Sequence, residues 1–239
     1  MEFVFSMKVY AFIFARGGSK GLPGKNILKI QGIPLLGHSI NVANSIKEIQ
    51  GCFVSTDSTE IAEVARNYGA TVINRPDNLS SDDSPEWLSW QHAVNWVRSN
   101  IGDFDKFINL PTTAPLRSSE DVKKCLNTLD DETDMVLTMS NSYRSPWFNM
   151  VYKDSNENLS LIIKKENDPI RRQDAPLSYD LTTVAYVTRP DFILSNSSIW
   201  DGKTKGVIIP PERAIDIDTK LDFRIARFLM EDNGYYAKK

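Results

Sequence analysis

Lys8-Val9-Tyr10-Ala11-Phe12-Ile13-Phe14-Ala15 runs directly into Arg16-Gly17-Gly18-Ser19-Lys20-Gly21-Leu22-Pro23-Gly24-Lys25-Asn26. Up to Ala15 the chain is apolar and aromatic over the length of a strand, the pattern of a strand buried on both faces of a parallel sheet. The stretch that follows sets four glycines and three cations at the carboxyl end of that strand, where open α/β sheets bind ligands. Glycine lets backbone N–H groups approach phosphate oxygens, and Arg and Lys neutralise their charge. The segment reads as a seat for a polyphosphate, with a nucleotide the obvious ligand. The competing reading is a glycine-rich turn carrying solvated lysines.

Spacing excludes two better-known phosphate motifs. The place of the first glycine of a P-loop is Ser19, and Lys25 is followed by Asn26 where Ser or Thr would hold magnesium. A dinucleotide fingerprint needs G-x-G-x-x-G, whereas the later glycines fall at Gly18, Gly21 and Gly24 with Pro23 between them.

Outward from the loop, the spacing of Leu35, Leu36, Ile40, Val42 and Ala43 predicts a crossover helix over Pro34 to Ile46. His38 lies on it and reads as structural. Gly51 to Ser55 reads as a second strand, Ser58 to Tyr68 as a helix capped by Ser58, and Thr71 to Asn74 as a third strand. This β-α-β-α-β alternation predicts a parallel, doubly wound sheet with right-handed crossovers. Thr56-Asp57 and Asn74-Arg75 then share a rim with the glycine loop. Pro85 to Asn100 is a helix whose Trp87 and Trp90 read as core, with sugar stacking as the alternative. Lys106 to Leu110 is a fourth strand, Pro111 to Arg117 the loop at its end, Ser119 to Thr128 a helix and Met135 to Met139 a strand.

From Asn141 to about Tyr179 the composition turns to Asn, Ser, Pro and charge. Two short strand-like runs there, Met150 to Tyr152 and Leu159 to Lys164, predict an excursion with a hairpin. Thr183 to Thr188 returns to the sheet, Lys205 to Ile209 is the last strand, and Leu221 to Asn233 is a helix with Leu221, Ile225, Phe228 and Leu229 on one face. Between these, Ile215-Asp216-Ile217-Asp218-Thr219 offers two carboxylates at i and i+2, which in an extended segment point the same way and suit magnesium. Capping of the final helix by Asp218 or Thr219 is the alternative.

Composition narrows the class. A chain of 239 residues, 41% hydrophobic and 25% charged, is long enough for one sizeable core, so a single domain over 1–239 is expected. The net charge of −3 gives no basic footprint for nucleic acid. Cys52 and Cys125 read as small buried hydrophobes rather than a disulfide. The opening MEFVFSMK is too short for a signal sequence, and no apolar run approaches a membrane span, so no membrane association and a cytoplasmic location are expected. The six residues before Met7 read as a dispensable extension.

Residues 15–27, A-R-G-G-S-K-G-L-P-G-K-N-I, resemble the N-terminal signature of the acylneuraminate cytidylyltransferases, the CMP-sialic acid synthetase family. Val54-Ser55-Thr56-Asp57, Asn74-Arg75-Pro76, Thr113-Ala114-Pro115-Leu116-Arg117 and Ile215-Asp216-Ile217-Asp218-Thr219 extend the resemblance over nearly the whole chain. It implies a Rossmann-like, doubly wound, mostly parallel α/β sheet of the nucleotide-diphospho-sugar transferase type. It also implies a homodimer in which a small lobe, 141–179, reaches over the partner's active site. The implied reaction joins CTP to a nonulosonic, nine-carbon 2-keto sugar acid, giving a CMP-sugar and pyrophosphate with Mg2+.

The resemblance assigns CTP to Ala15, Arg16, Gly17, Gly18, Ser19, Lys20, Lys25 and Asn26, with Arg75 helping to hold the nucleotide, and magnesium to Asp216 and Asp218. Arg16, Lys25 and Asp218 would be catalytic. Thr113, Arg117, Arg171, Arg172 and Gln173 would meet the acceptor, the arginines suiting a carboxylate through paired hydrogen bonds. Pairing of Arg117 with Glu120 or Asp121, and solvated arginines at Arg171 and Arg172, are the alternatives. The family commonly carries Gln-Pro-Thr-Ser-Pro-Leu-Arg where this chain has Pro111, Thr112 and Ala114, and often an Arg and an Asn-Gly where this chain has Asp180 to Thr183. Both departures fall at the acceptor. An eight-carbon acid, as in CMP-Kdo synthesis, and a non-catalytic nucleotide-binding protein on the same fold are the other readings.

Overall fold

In the computed structural model, residues 7–18, 21–81, 83–164 and 169–232 are described. The apolar run forms β1 (Val9–Phe14), and its alternate side chains serve opposite layers. Val9, Ala11 and Ile13 pack under α1 (Leu35–Ser45), α2 (Thr59–Asn67) and α4 (Ser119–Thr128). Tyr10 and Phe12 face the other way, toward α3 (Glu86–Asn100) and α5 (Pro190–Ser195). One strand thus roots both cores, and Phe12 stacks on Phe107 at 4.4 Å between ring centres. Each such fully buried ring contributes roughly 1.5–3 kcal/mol through the apolar area it removes from water.

Around β1 stand β4 (Ile49–Thr56), β5 (Thr71–Asn74), β6 (Lys106–Asn109), β7 (Met135–Asn141), β10 (Tyr179–Thr188) and β11 (Thr204–Ile208), in the order β11-β7-β10-β6-β1-β4-β5. Every neighbouring pair is parallel except the two made by β10, which runs antiparallel to both β6 and β7. The expected mostly parallel, doubly wound sheet is therefore present. The reversed β10 pairs Tyr186 with Asn109, and so brings its own middle residues to the carboxyl rim of β6.

Several elements differ from the sequence reading. A two-stranded ribbon of β2 (Lys29–Ile30) and β3 (Ile33–Pro34) turns at Gln31 and Gly32, both at positive φ; strands of two residues are too short for periodicity to show. The six-residue α5, with Pro190 at its start, escapes it for the same reason. The excursion forms the expected hairpin, β8 (Val151–Lys153) with β9 (Leu159–Leu161). The final helix, α6 (Lys220–Glu231), is capped by Thr219, whose hydroxyl accepts from Asp222 N. Its Leu221, Ile225 and Phe228 face outward, while Phe223, Ala226 and Met230 pack against Leu22, Ile30 and Ile217. The predicted apolar face is real as a stripe, but the core lies on the adjacent side. Asn233, the expected end of this helix, lies outside the described residues. No helix among the described residues is long and apolar enough to cross a membrane, and Cys52 and Cys125 are free, buried thiols.

Candidate active site

A cleft of about 490 Å³ opens at the carboxyl ends of β1, β5 and β6. It brings together Arg16, Lys25 and Asn26 from the glycine loop, Arg75 after β5, Thr113 from the loop after β6, and Asp216 and Asp218 from the segment before α6.

Backbone bonds and one missing side chain shape the loop. Ala15, fully buried, donates its N–H to Ser55 O at 3.0 Å, and Gly17 donates to the Asp57 carboxylate at 2.9 Å. Gly24 adopts φ 65°, the left-handed region that favours glycine, and turns the chain into the short helical turn Lys25–Ile27. At Gly21 a Cβ would stand 2.6 Å from Asp218 O, so only glycine lets the two segments meet. Gly18 is exposed, with open space around it. Ser19 and Lys20 lie outside the described residues.

Asn26 is buried; its amide donates to Arg16 O at 3.0 Å and accepts from Thr112 Oγ1 at 2.6 Å. Thr112, one of the departures from the family pattern, is thereby a support for the loop. Lys25 Nζ bonds the Asp218 carboxylate at 2.9 Å. With Asp218 well exposed, that pair contributes little to stability and matters for where it holds two charges.

Arg75 is 8% exposed. Its Nε donates to Ser55 Oγ at 3.1 Å and its Nη2 to Ser55 O at 2.9 Å, and the guanidinium carbon sits 5.6 Å from the centre of the Phe14 ring. Burial lowers its pKa from the usual guanidinium value, and the charges of Glu86 and Asp57 act against that fall.

The segment 213–218 is tied down at both ends. Arg213 places two bonds on the buried carboxylate of Asp121, at 2.8 and 2.9 Å, and Ile217 N donates to Thr113 O at 2.9 Å. Ile217 is fully buried while Asp216 and Asp218 both line the cleft, the alternation an extended segment requires. Thr219, not Asp218, supplies the helix cap. Asp216 Oδ1 is buried and has no hydrogen-bond partner among the described residues. Among the described residues no three His, Cys, Asp or Glu side chains gather as a ready metal cage. Two carboxylates, one with an orphaned oxygen, fit magnesium, which binds through one or two carboxylates together with substrate phosphates.

The other expected acceptor contacts are dispersed. Arg117 is fully enclosed and does not line the cleft. It bonds Ser39 Oγ, Pro111 O and Thr183 O, knitting the loop after β6 to α1 and β10. It pairs with neither Glu120 nor Asp121, because Asp121 is taken by Arg213; burial pushes its pKa down to about 9. Arg171 spends its fork on Asp174, Arg172 donates to Ser142 O at 2.8 Å, and both stand exposed with Gln173 on the excursion, away from the cleft lining. Trp87 and Trp90 are core residues; Trp90 packs between Phe107 and Tyr186. His38 Nε2 sits 3.2 Å from Ile30 O, with its pKa lowered chiefly by burial.

Sequence reasoning missed Phe14, Ser84, Glu86 and Tyr186, all of which line the cleft, as does Thr183 from the stretch expected near the acceptor. Glu86 could have been found as a carboxylate opening a helix just after the Arg75 rim. Tyr186 could not, because its place depends on the reversal of β10. Burial, Glu86 and Asp216 together push the Tyr186 phenol up to about 12, so it stays protonated.

A mostly parallel sheet with a cation-lined cleft at the carboxyl ends of its strands defines a nucleotide-binding α/β protein. Residues 10–194 match the cytidylyltransferase family, and the chain belongs to it. It is 35% identical to post-translational flagellin modification protein B of Campylobacter coli, with 97% of this chain and 98% of that protein aligned. It is also 35% identical to the CMP-N,N'-diacetyllegionaminic acid synthase of Campylobacter jejuni subsp. jejuni, over 93% of this chain and 95% of that one. The solved structure of a CMP:2-keto-3-deoxy-manno-octonic acid synthetase complexed with CTP superposes with a TM-score of 0.68, covering 95% and 99% of the two chains at 19% identity; that likeness concerns the fold.

Proposed function

We propose that this cytidylyltransferase transfers CMP from CTP to the anomeric hydroxyl of a nonulosonic, sialic-acid-like 2-keto sugar acid. The observation that carries the reading is the single cleft in which the basic loop, Arg75 and the aspartate pair converge from distant parts of the chain. The names of the relatives, which act on legionaminic, pseudaminic and N-acylneuraminic acids, support the acceptor class.

Arg16 and Lys25 grip the triphosphate. Asn26, fixed by Arg16 O and Thr112, holds the loop against the nucleotide. The sugar hydroxyl oxygen forms a bond to the α-phosphorus as the bond to the β-phosphate oxygen breaks, and pyrophosphate leaves. Phosphoryl transfer asks the protein mainly for position and charge neutralisation, which the two cations supply. Among the described residues no histidine lines the cleft, so the hydroxyl proton goes to one of the two aspartates or to solvent. Asp216 and Asp218 would hold Mg2+, which supplies charge stabilisation at the phosphate oxygens.

Arg171 and Arg172 receive the sugar carboxylate when the 141–179 lobe of one protomer closes on the cleft of its partner. The lobe's exposed apolar side chains support a dimer, with Ile170 91% and Leu177 85% exposed in the single chain.

Incubating the protein with CTP labelled at the α-phosphorus and a panel of eight- and nine-carbon sugar acids, with Mg2+ or with a chelator, tests the reading. The expected product is a nine-carbon CMP-sugar carrying one labelled phosphorus, formed only with Mg2+. A product with two phosphorus atoms, or none with any sugar acid, would overturn it.

A further inference from the structure

Glu86 is a carboxylate in the cleft that the transfer chemistry leaves unused. It opens α3, and its Oε1 accepts from Trp90 Nε1 at 3.0 Å and Asn109 Nδ2 at 3.2 Å. Those two bonds fix the side chain above the end of β6. Among the described residues no donor reaches Oε2. Arg75 lines the same cleft, with Nε and Nη2 each bonded to Ser55 and, among the described residues, no acceptor at Nη1.

Neither charge is spent on the other, yet they are near enough for Glu86 to favour the charged form of Arg75. The Phe14 ring lies beneath the guanidinium and lines the same space. Ser84 Oγ, buried and without a partner among the described residues, lines it too. The result is a slot with an aromatic wall, a fixed cationic donor and a fixed anionic acceptor.

The two pyrimidines present different edges to such a slot. Cytosine offers a 4-amino donor beside ring acceptors; uracil offers an oxygen at that position. We propose that Glu86 reads the base of the nucleotide, Oε2 accepting from the 4-amino group of cytosine while Arg75 Nη1 donates to the ring carbonyl, so that Glu86 is the residue that rejects uridine nucleotides. This rests on the CTP reading above. With uracil, the carboxylate would meet the O4 oxygen with no proton between them, and a buried polar group left unpaired is the costly outcome that gives such sites their discrimination.

The test is binding without turnover: calorimetric titration of CTP and of UTP into the protein, with no sugar acid present. The parent is expected to prefer CTP by about tenfold to a hundredfold, the range of one well-placed base contact. Glu86→Gln retains an Oε1 acceptor for Trp90 and Asn109, so its melting temperature should match the parent's. With that oxygen kept by Trp90 and Asn109, the amide nitrogen, a donor, stands where Oε2 stood and suits uracil O4 but not the cytosine 4-amino group, so the preference should fall to about threefold or less, by weaker CTP binding and unchanged or tighter UTP binding. A Glu86→Gln protein that melts like the parent and keeps the parent's CTP-to-UTP ratio would overturn the inference. A parent that binds neither nucleotide would instead overturn the CTP reading beneath it.

Discussion

Arg75 and Arg171 carry the same guanidinium into opposite circumstances. Arg75 is buried across the sheet, bonded twice to the neighbouring strand and laid over Phe14. Arg171 stands exposed on the excursion, its fork closed on Asp174 three residues along. The sheet holds the first before any ligand arrives; only a local turn holds the second. The lesson is that the Arg75 end of the cleft is preorganised by long-range contacts, while the arginines of the excursion are not. On the reading proposed above, they reach their ligand only when two protomers meet.

If long-range contacts preorganise the cleft, the buried charges that anchor its walls should matter most to the fold. Arg213→Met leaves the Asp121 carboxylate buried without its partner, a change that costs about 3–5 kcal/mol. The pH dependence gives the sign. Burial alone would raise the Asp121 pKa, but the Arg213 and Ser118 bonds outweigh it and hold the group below its usual value. In the parent that contribution is present above the ordinary Asp pKa and is lost as pH falls through the lowered one. In the variant the buried charge is a burden that protonation relieves. Thermal melts should therefore show the gap between the two proteins narrowing from pH 7 toward pH 4; a gap constant across that range would break the assignment.

Next in size is Arg16→Ala. A cation that stabilises charge developing at a phosphate should cost about 10²- to 10³-fold in kcat when removed, with little change in melting temperature. Steady-state rates with CTP check this, and unchanged turnover would remove Arg16 from the phosphate grip.

The smallest effect belongs to the excursion. Arg171→Ala with Arg172→Ala should raise the KM for the sugar acid about tenfold, as expected for lost charge-assisted hydrogen bonds to a carboxylate. Stability should shift by no more than about 0.5 kcal/mol, as for exposed substitutions generally. A loss of CTP affinity instead would blur the contrast between the two ends, since those arginines would then serve the nucleotide.

What the sequence disclosed follows the same division. The apolar run at β1, the Ser58 cap and the alternation of strands and helices are local signals, and the elements they predict stand close to the expected boundaries. The cations of the glycine loop, Arg75 and the aspartate pair were legible as neighbours on one rim because each sits at the end of a predicted strand or just before a predicted helix. Glu86 and Tyr186 were not, because what makes them site residues is the crossing of α3 over β6 and the reversal of β10. Arg117 was hard to place for a related reason: its motif is plain in the sequence, but only packing shows that its two terminal nitrogens bond Ser39, Pro111 and Thr183. The outward stripe of α6 belongs here too. Periodicity located it, and the core occupies the neighbouring face.

The close passage of Gly21 beneath the Asp218 carbonyl bears on the order in which the protein is made. Lys25 waits for a carboxylate 193 residues further along, and the glycine loop has its final neighbour only when that segment docks. A ribosome delivers the loop early and Asp218 late, and contacts so distant in sequence form after the local ones. A nascent chain stalled before residue 213 can pair β1 with β4 and β6 and still lack one wall of the cleft. Nucleotide binding is then a property acquired near the end of synthesis, after the sheet that supports it.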